Sequence, residues 1–373
     1  MLGPTIIFDK SFLQSLNIDE SVWLDKFFYS NITPLFYVET LADLEKQVKA
    51  GQTPEEVVGA LAYKTPSMNC IPNIHHHMLA EGNLRGYPVP MDYRPVTYSG
   101  KMMQSVFGIG LHYQSFPEME AFQRWQEGDY LKIERSLASQ WRRELSNYVF
   151  ESKLALIKDI APRKLKSFAE VKLSVDNLMK SEQLNVSRFA PYATHVLKVD
   201  LFFYLSRAAG LVSHLPNNRS DMAYLCYLPF TKIFVSSDKL HEKTVPLFID
   251  GNQAFIRGQE LKKALAELDA YYSKLPDEVK SRGVIKFAPH PPKEYETLVS
   301  DLWDRFIPGW RQNSQTSLNS DDEVTVEYLT QALDGAVNVE NSDQLHGNPD
   351  YMYEQAYVPR KKGKWDILPQ DTD

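Results

Sequence analysis

Three short apolar runs of this chain each end at an acidic residue, and this pattern constrains the fold more than any other feature. The acids are Asp9 after residues 5–8, Glu39 after residues 34–38 and Asp238 after residues 232–237. The runs are rich in β-branched and aromatic residues, which is typical of buried strands in a parallel sheet. A fourth acid, Asp221, opens the segment that leads into the last run. Ligands bind at the carboxyl ends of strands in open α/β sheets, so we expect the four acids to share one edge.

Carboxylates gathered at one edge of a sheet would repel one another unless a cation held them together. We therefore expect a divalent metal site. A metal site made of carboxylates alone is typical of phosphodiester chemistry, in which the ions activate a water and stabilise the leaving oxygen.

The remaining pattern predicts an α/β domain interrupted by a large insertion. We assign the α/β domain to residues 1–60 and 190–310, a mostly helical insertion to residues 61–189, and an acidic, partly irregular C-terminal arm to residues 311–373. Helical patterns with capping signals place helices at residues 11–29 with a break near Asn17, from Glu39 to about Gly51, from Pro54, and at 117–160, 164–184, 191–213, 221–228 and 261–272. Residues 64–116 lack a clear period and predict loops and short strands.

The order and local setting of the acids resemble those of the PIN-domain nucleases. The matching segments are Ile6-Ile7-Phe8-Asp9-Lys10-Ser11, Val38-Glu39-Thr40-Leu41, Ser220-Asp221-Met222 and Val235-Ser236-Ser237-Asp238. The resemblance covers about a third of the chain and implies a parallel sheet flanked by helices. It implies that Asp9, Glu39, Asp221 and Asp238 hold Mg²⁺ or Mn²⁺. Such domains are usually much shorter than this chain.

The same residues suggest distinct roles in catalysis. We expect Asp9 and Asp238 to contact the metal directly, while Glu39 and Asp221 hold a second ion or orient the attacking water. Ser236 would donate a hydrogen bond to a phosphate or to a metal-bound water. The alternative for Asp9, Asp221 and Asp238 is an ordinary helix or turn cap, and Glu39 could only complement a helix dipole.

Charge and composition restrict the partners less sharply. The net charge is −7, and the segment from Arg311 to Asp373 carries the whole excess, with 12 acidic and 5 basic residues. The balanced body neither requires nor excludes nucleic acid. Two cysteines and no long uncharged apolar stretch predict a cytoplasmic protein that does not enter a membrane. A homo-oligomer or a regulatory protein partner is left open.

Two further features have ordinary explanations as well as functional ones. In an extended segment, His75 and His77 would face the same side and could bind zinc or manganese, yet such residues more often serve packing or a loop. The insertion interleaves basic residues with Trp125, Tyr130 and Trp141, which would suit single-stranded RNA. Acidic residues alternate with these basic ones, so an amphipathic helix is the simpler interpretation.

Together these patterns predict a metal-dependent nuclease that hydrolyses phosphodiester bonds, with RNA as the expected substrate and a toxin or defence effector as one role implied by the resemblance. Two alternatives stay open. One is another Mg²⁺-dependent phosphohydrolase similar to the haloacid-dehalogenase phosphatases, although Ser11 occupies the position where those enzymes have a second Asp. The other is a non-catalytic interaction protein on a PIN-like scaffold.

Overall fold

The structure is a computed structural model, and it describes most of the chain outside the insertion and the C-terminal arm. The described residues are 2–40, 51–84, 88–96, 100–105, 108–115, 165–181, 188, 190–213, 215, 217–312, 352–357 and 359–369. The residues of the predicted helix at 117–160, with Trp125, Tyr130 and Trp141, lie outside the described residues.

A five-stranded, all-parallel sheet organises the α/β part of the chain. Its strands lie in the order β3-β2-β1-β6-β7, with β1 in the centre. Their bounds are Thr5–Phe8 for β1, Tyr29–Ile32 for β2, Cys70–Pro72 for β3, Ile233–Ser236 for β6 and Ala254–Arg257 for β7. In the register of β1 and β6, Phe8 stands beside Val235. The ends of these two strands, and the residues that follow them, are therefore neighbours.

Helices cover both faces of this sheet. They are α1 Lys10–Ser15, α2 Ile18–Phe27, α3 at residues 34–40, α4 Pro54–Lys64, α5 His76–Leu84, α6 Phe168–Ser181, α7 Pro191–Ala208, α8 Asn217–Ala223, α9 Lys239–Thr244, α10 Gly258–Ser273, α11 Asp277–Lys280, α12 Val284–Phe287 and α13 Leu298–Phe306. Short 3-10 turns follow α8 at Tyr224–Phe230 and α9 at Val245–Leu247. Capping boxes begin α2 at Asn17 and α4 at Thr53, as the sequence predicts.

The alternation of side chains along β1 divides the core into two layers. Ile6 and Phe8 pack on one face with the apolar residues of α1, α2, α10 and α13. Ile7 packs on the opposite face with α7 and with the 3-10 turn at Tyr224–Phe230. Because successive side chains of a strand point to opposite faces, each short strand serves both layers.

One predicted strand is wrong. Residues 34–38 lie in α3, and the second strand of the sheet is Tyr29–Ile32. Pro34 stands at the first helical position, where its fixed φ and missing N–H suit a helix. The run from Leu35 to Val38 is fully buried, and a short, wholly apolar run does not distinguish a buried helix from a buried strand. Glu39 therefore lies within a helix and approaches the sheet edge from there.

Residues 64–116, where the sequence predicts loops and short strands, include an antiparallel hairpin. Strands β4 at Gly100–Ser105 and β5 at Gly108–Ser115 form an antiparallel hairpin. Strand β8 at Met352–Tyr357, from the predicted C-terminal arm, pairs with β5. The arm thus supplies the third strand of a separate antiparallel sheet.

The last described residues return to the α/β domain. A two-stranded hairpin consists of β9 at Lys361–Lys362 and β10 at Trp365–Asp366. Trp365 is buried, and its indole N–H donates to Asp269 on α10. The buried Lys362 ammonium donates to the carbonyl of Thr65 at the end of α4. These contacts anchor the hairpin to the core.

Candidate functional site

Asp9 lies at the carboxyl end of the central strand and also caps the helix that follows. Its Oδ1 accepts the backbone N–H of Phe12 at 2.8 Å and the hydroxyl of Ser11 at 2.9 Å. The ordinary helix-capping role is therefore real. Asp9 is only 5% exposed, however, and its second oxygen faces a different set of groups. The cap uses Oδ1 of Asp9, whereas Oδ2 contacts the other groups of the site.

Ser236, at the end of β6, joins Asp9 to a histidine. The Ser236 hydroxyl donates to Asp9 Oδ2, and its oxygen accepts the backbone N–H of Asp238 at 2.9 Å. The same oxygen lies 2.8 Å from Nδ1 of His241. A hydroxyl has one proton to donate, and that proton is directed at Asp9, so Nδ1 of His241 must carry its own proton.

The other ring nitrogen of His241 is a donor as well. Its Nε2 lies 2.7 Å from the backbone carbonyl oxygen of Asp221, which can only accept. Both nitrogens therefore donate, and the buried ring is an imidazolium. Its Nδ1 lies 3.6 Å from Asp9 Oδ2. His241 provides the positive charge that balances the buried Asp9 carboxylate.

The pKa values of this pair agree with the hydrogen-bond pattern. Burial would lower the pKa of His241, but the hydrogen bond and charge of Asp9, together with Asp221, raise it to about 9. Burial would raise the pKa of Asp9, but His241 and the hydrogen bonds from Ser236 and Phe12 hold it below its ordinary value. The two groups are therefore both charged at neutral pH.

Glu39 enters the same region from α3. Tyr224 donates its hydroxyl to Glu39 Oε2 at 3.2 Å. Burial raises the pKa of Glu39 to about 8, and the charges of Asp221 and Asp9 add to this effect while Lys10 opposes it. Glu39 is therefore largely protonated at neutral pH. Glu39 is therefore close enough to Asp9 and Asp221 for their charges to act on it.

The two later acids differ in where their side chains point. Asp221 lies on α8, and its charge raises the pKa values of both Glu39 and His241. Asp238 caps α9, where its carboxylate accepts the backbone N–H of Leu240. His241 contacts both Asp9 and the backbone of Asp221, and its ring lies 5.7 Å from that of Tyr224, which donates to Glu39. Asp9, Glu39 and Asp221 therefore surround these two side chains, whereas the Asp238 carboxylate caps its own helix.

The acids form an open group rather than a tight one. In the described part of the chain, the only three or more His, Cys, Asp or Glu side chains with ligand atoms all within 4.8 Å of one another are His75, His76 and His77. A hard divalent cation still suits the carboxylates, since it would offset their repulsion. It would displace the hydroxyl hydrogen that Asp9 Oδ1 now accepts from Ser11, and that hydroxyl can rotate.

Two residues of this site are missing from the sequence prediction. His241 follows Asp238 by three positions and Tyr224 follows Asp221 by three, a spacing at which side chains of a predicted helix are neighbours. This spacing was the available signal. A single histidine or tyrosine at that spacing has no distinctive pattern. Only the tertiary structure shows that His241 contacts the Asp221 carbonyl and that Tyr224 contacts Glu39.

The histidine triplet forms a separate buried cluster. His76 and His77 lie in a helix rather than in an extended segment, because α5 begins at His76. The ring centroids lie 4.4 Å apart for His75 and His76, 5.0 Å for His75 and His77, and 4.1 Å for His76 and His77. Burial lowers the pKa of His75 and of His77 to about 4 each, so these rings are neutral at neutral pH.

Comparison of the chain with protein-family models, with curated proteins and with solved structures finds no match. None of the helices in the described ranges combines the length and the apolar character that a membrane span requires.

Proposed function

We propose that this chain is a metal-dependent nuclease of PIN-like fold that hydrolyses phosphodiester bonds in RNA. The observation that carries the proposal is the meeting of Asp9, Glu39 and Asp221 beside the carboxyl end of β1. Each comes from a different element, and the pKa of Glu39 is raised to about 8 in part by the other two charges. Buried carboxyl groups whose pKa values are shifted by burial and by neighbouring charges are concentrated at functional sites.

The place of these acids in the sheet supports the proposal. The chain runs from β1 to β2 on one side, while β6 lies on the other side of β1. The strand order therefore reverses between β1 and β6, and ligands bind at such reversal points in open α/β sheets. Asp9 follows β1, and Ser236 ends β6. Both residues stand at the reversal point.

The chemistry of the residues fits a hard cation. Mg²⁺ or Mn²⁺ at these oxygens would supply charge stabilisation and an activated water at the scissile phosphate. Ser236 and His241 fix the orientation of the Asp9 carboxylate. Tyr224 orients Glu39, which must release its proton to act as a ligand. In this proposal Ser236 is a positioning residue, because its proton is directed at Asp9 rather than outward.

The choice of RNA over DNA comes from the PIN-like pattern of acids, and the insertion is proposed to select the substrate. Asp238 is proposed as a ligand after rotation of its side chain away from the α9 cap. Lys10, which follows Asp9 and whose charge acts on Glu39, provides a positive charge beside the acids. In this proposal the Lys10 ammonium interacts favourably with a phosphate group, which the carboxylates alone would repel.

The test is cleavage of a panel of single-stranded RNA and DNA with Mn²⁺, with Mg²⁺ or with chelator. Asp9→Asn is the informative variant, because asparagine also caps helices. Asp250→Asn is the matched control. Asp250 precedes β7 and therefore lies near the amino ends of the parallel strands, whereas Asp9 lies at their carboxyl ends. We expect metal-dependent RNA cleavage that falls at least about 100-fold in Asp9→Asn and is unchanged in Asp250→Asn.

Other outcomes redirect the proposal. Absence of cleavage together with absence of Mn²⁺ binding by calorimetry would overturn it in favour of the interaction scaffold. Mn²⁺ binding with hydrolysis of p-nitrophenyl phosphate, but not of RNA or DNA, would favour the phosphohydrolase alternative.

A further inference from the structure

We propose that His75, His76 and His77 form a binding site for a divalent transition-metal ion of the zinc, copper and nickel class. Each imidazole offers one ring nitrogen, and these nitrogens all lie within 4.8 Å of one another. Three nitrogens about 2.0–2.1 Å from a common ion would lie roughly 3.3 Å apart in tetrahedral geometry. Small rotations of the rings would therefore close the site. This inference does not depend on the proposed nuclease activity.

The backbone explains how three consecutive side chains share one space. His75 lies before α5, and its carbonyl accepts the backbone N–H groups of Met78 and Leu79. His76 and His77 belong to the first turn of the helix. The change from non-helical to helical backbone turns the three rings toward one another, which a continuous strand or helix would not do.

His76 supplies an independent sign of a ligand. It is 1% exposed, and among the described residues its Nε2 atom has no hydrogen-bond partner. Its Nδ1 lies 3.3 Å from the hydroxyl of Tyr227, which also accepts the His76 backbone N–H at 3.0 Å. If Nδ1–H donates to that hydroxyl, Nε2 holds a buried lone pair. Metal-binding histidines commonly use their second nitrogen in this way to fix the ring.

A buried side chain two positions before His75 also lacks hydrogen-bond partners. Asn73, two residues before His75, is fully buried, and neither atom of its amide has a hydrogen-bond partner within the described residues. Buried polar groups are normally satisfied by protein, ordered water or ions. An ion bound by the histidines would supply the missing partner of His76 Nε2.

The donor set decides which ion the cluster would take. Imidazole nitrogen suits zinc, copper, iron and nickel, whereas Mg²⁺ prefers oxygen. The charges nearby are those of the Arg219–Asp200 ion pair. Both act on the pKa of His77, and Arg219 also lowers the pKa of His76. Asp200 therefore offsets part of the repulsion that Arg219 would exert on a bound cation. Three histidines leave a fourth position for water, as in catalytic zinc sites.

The experiment uses the full chain without a histidine tag. Zinc binding is measured by competition with a chromophoric chelator, and cobalt substitution reports the ligands through visible absorption. We expect one ion per chain and a cobalt spectrum of nitrogen-rich, four-coordinate type. His76→Gln should weaken zinc binding at least about 10-fold. His195→Gln is the matched control, because His195 is a partly buried histidine on α7 that contacts the Leu225 carbonyl.

A second measurement keeps the proposal falsifiable if His76→Gln does not fold. X-ray absorption on the zinc-loaded native chain should show scattering from about three imidazoles. Zinc binding should also persist in Asp9→Asn, which separates this site from the proposed nuclease centre. No zinc uptake by the native chain, an oxygen-only spectrum, or native affinity in folded His76→Gln would each overturn the proposal.

Discussion

Ser236 and Asp9, which are 227 residues apart in the chain, meet across the join between β6 and β1, where the serine hydroxyl donates to the carboxylate. The contact follows from the parallel pairing of the two strands, because Phe8 and Val235 are register partners and the next residues must be neighbours. It links the first strand of the fold to the segment that carries His241. The geometry of the candidate site is thus set by the central strand pair rather than by a loop.

Replacing Ser236 with alanine tests the importance of this bridge. The change leaves Asp9 and His241 without the hydroxyl between them, and we expect a loss of about 1–3 kcal/mol in the free energy of unfolding. The proposed nuclease activity should also fall, though less than in Asp9→Asn, because the proposed metal ligand Asp9 is unchanged. Urea unfolding and RNA cleavage are the measurements. The control is Ser237→Ala, an exposed neighbour, and an equal effect of both variants would argue against the bridge.

The protonation of His241 gives a direct spectroscopic prediction. Both ring nitrogens should carry protons at pH 7, so ¹⁵N chemical shifts of the ring should be those of an imidazolium. Its pKa of about 9 lies above the ordinary 6.5. The stabilisation from the ion pair is therefore fully present below pH 6.5 and is lost as the pH rises through about 9. Asp9→Asn should return the ring to a neutral tautomer near pH 7, and an unchanged spectrum in that variant would contradict the ion pair.

Glu39 should have an effect of its own on stability. Its pKa is raised from 4.5 to about 8, so the folded state holds the proton more tightly than the unfolded chain. The native protein therefore loses stability as the pH rises from about 4.5 to about 8. Glu39→Gln removes this loss and should be more stable than native at pH 8.5, by at most a few kcal/mol, since one pKa unit corresponds to about 1.4 kcal/mol.

The measurement is urea unfolding of native chain and Glu39→Gln at pH 5, 7 and 8.5. Glu55→Gln, at an exposed position of α4, provides the control and should follow the native curve. A difference between native and Glu39→Gln that stays constant over this pH range would show that Glu39 is not held protonated. Mn²⁺ should reduce the difference, because binding to Glu39 requires release of the same proton.

The sequence predicts the central part of the fold well because local and tertiary signals agree there. Residues 5–8 and 233–236 are short β-branched runs, and both are strands. Residues 34–38 are equally apolar, yet Pro34 begins a helix, because burial on all sides permits either structure and the local proline decides. The strand at Tyr29–Ile32 has no such apolar signal, because its central residues Ser30 and Asn31 are polar and Asn is uncommon in strands.

The candidate site is predictable only in part. The position of Asp9 after a central strand follows from the pattern of apolar runs and acids. The direction of a side chain does not, and the carboxylate of Asp238 turns to cap α9 although it follows the adjacent strand. The role of His241 depends on where α8 and α9 meet, which is a tertiary contact with no local pattern. Hydrogen bonds between distant elements are therefore the part that sequence reasoning could not supply.

The hairpin of β9 and β10 should contribute strongly to stability, even though the C-terminal sequence around it is acidic and polar. Trp365 is 2% exposed, lies 4.8 Å from Trp23 between ring centroids, and donates its indole N–H to Asp269 at 2.8 Å. Truncation to alanine removes this packing and should lower the free energy of unfolding by about 3–5 kcal/mol. Urea unfolding followed by tryptophan fluorescence and circular dichroism checks the value, with Lys361→Ala, an exposed residue of the same hairpin, as the control. A loss below about 1 kcal/mol would mean that the hairpin is not part of the core.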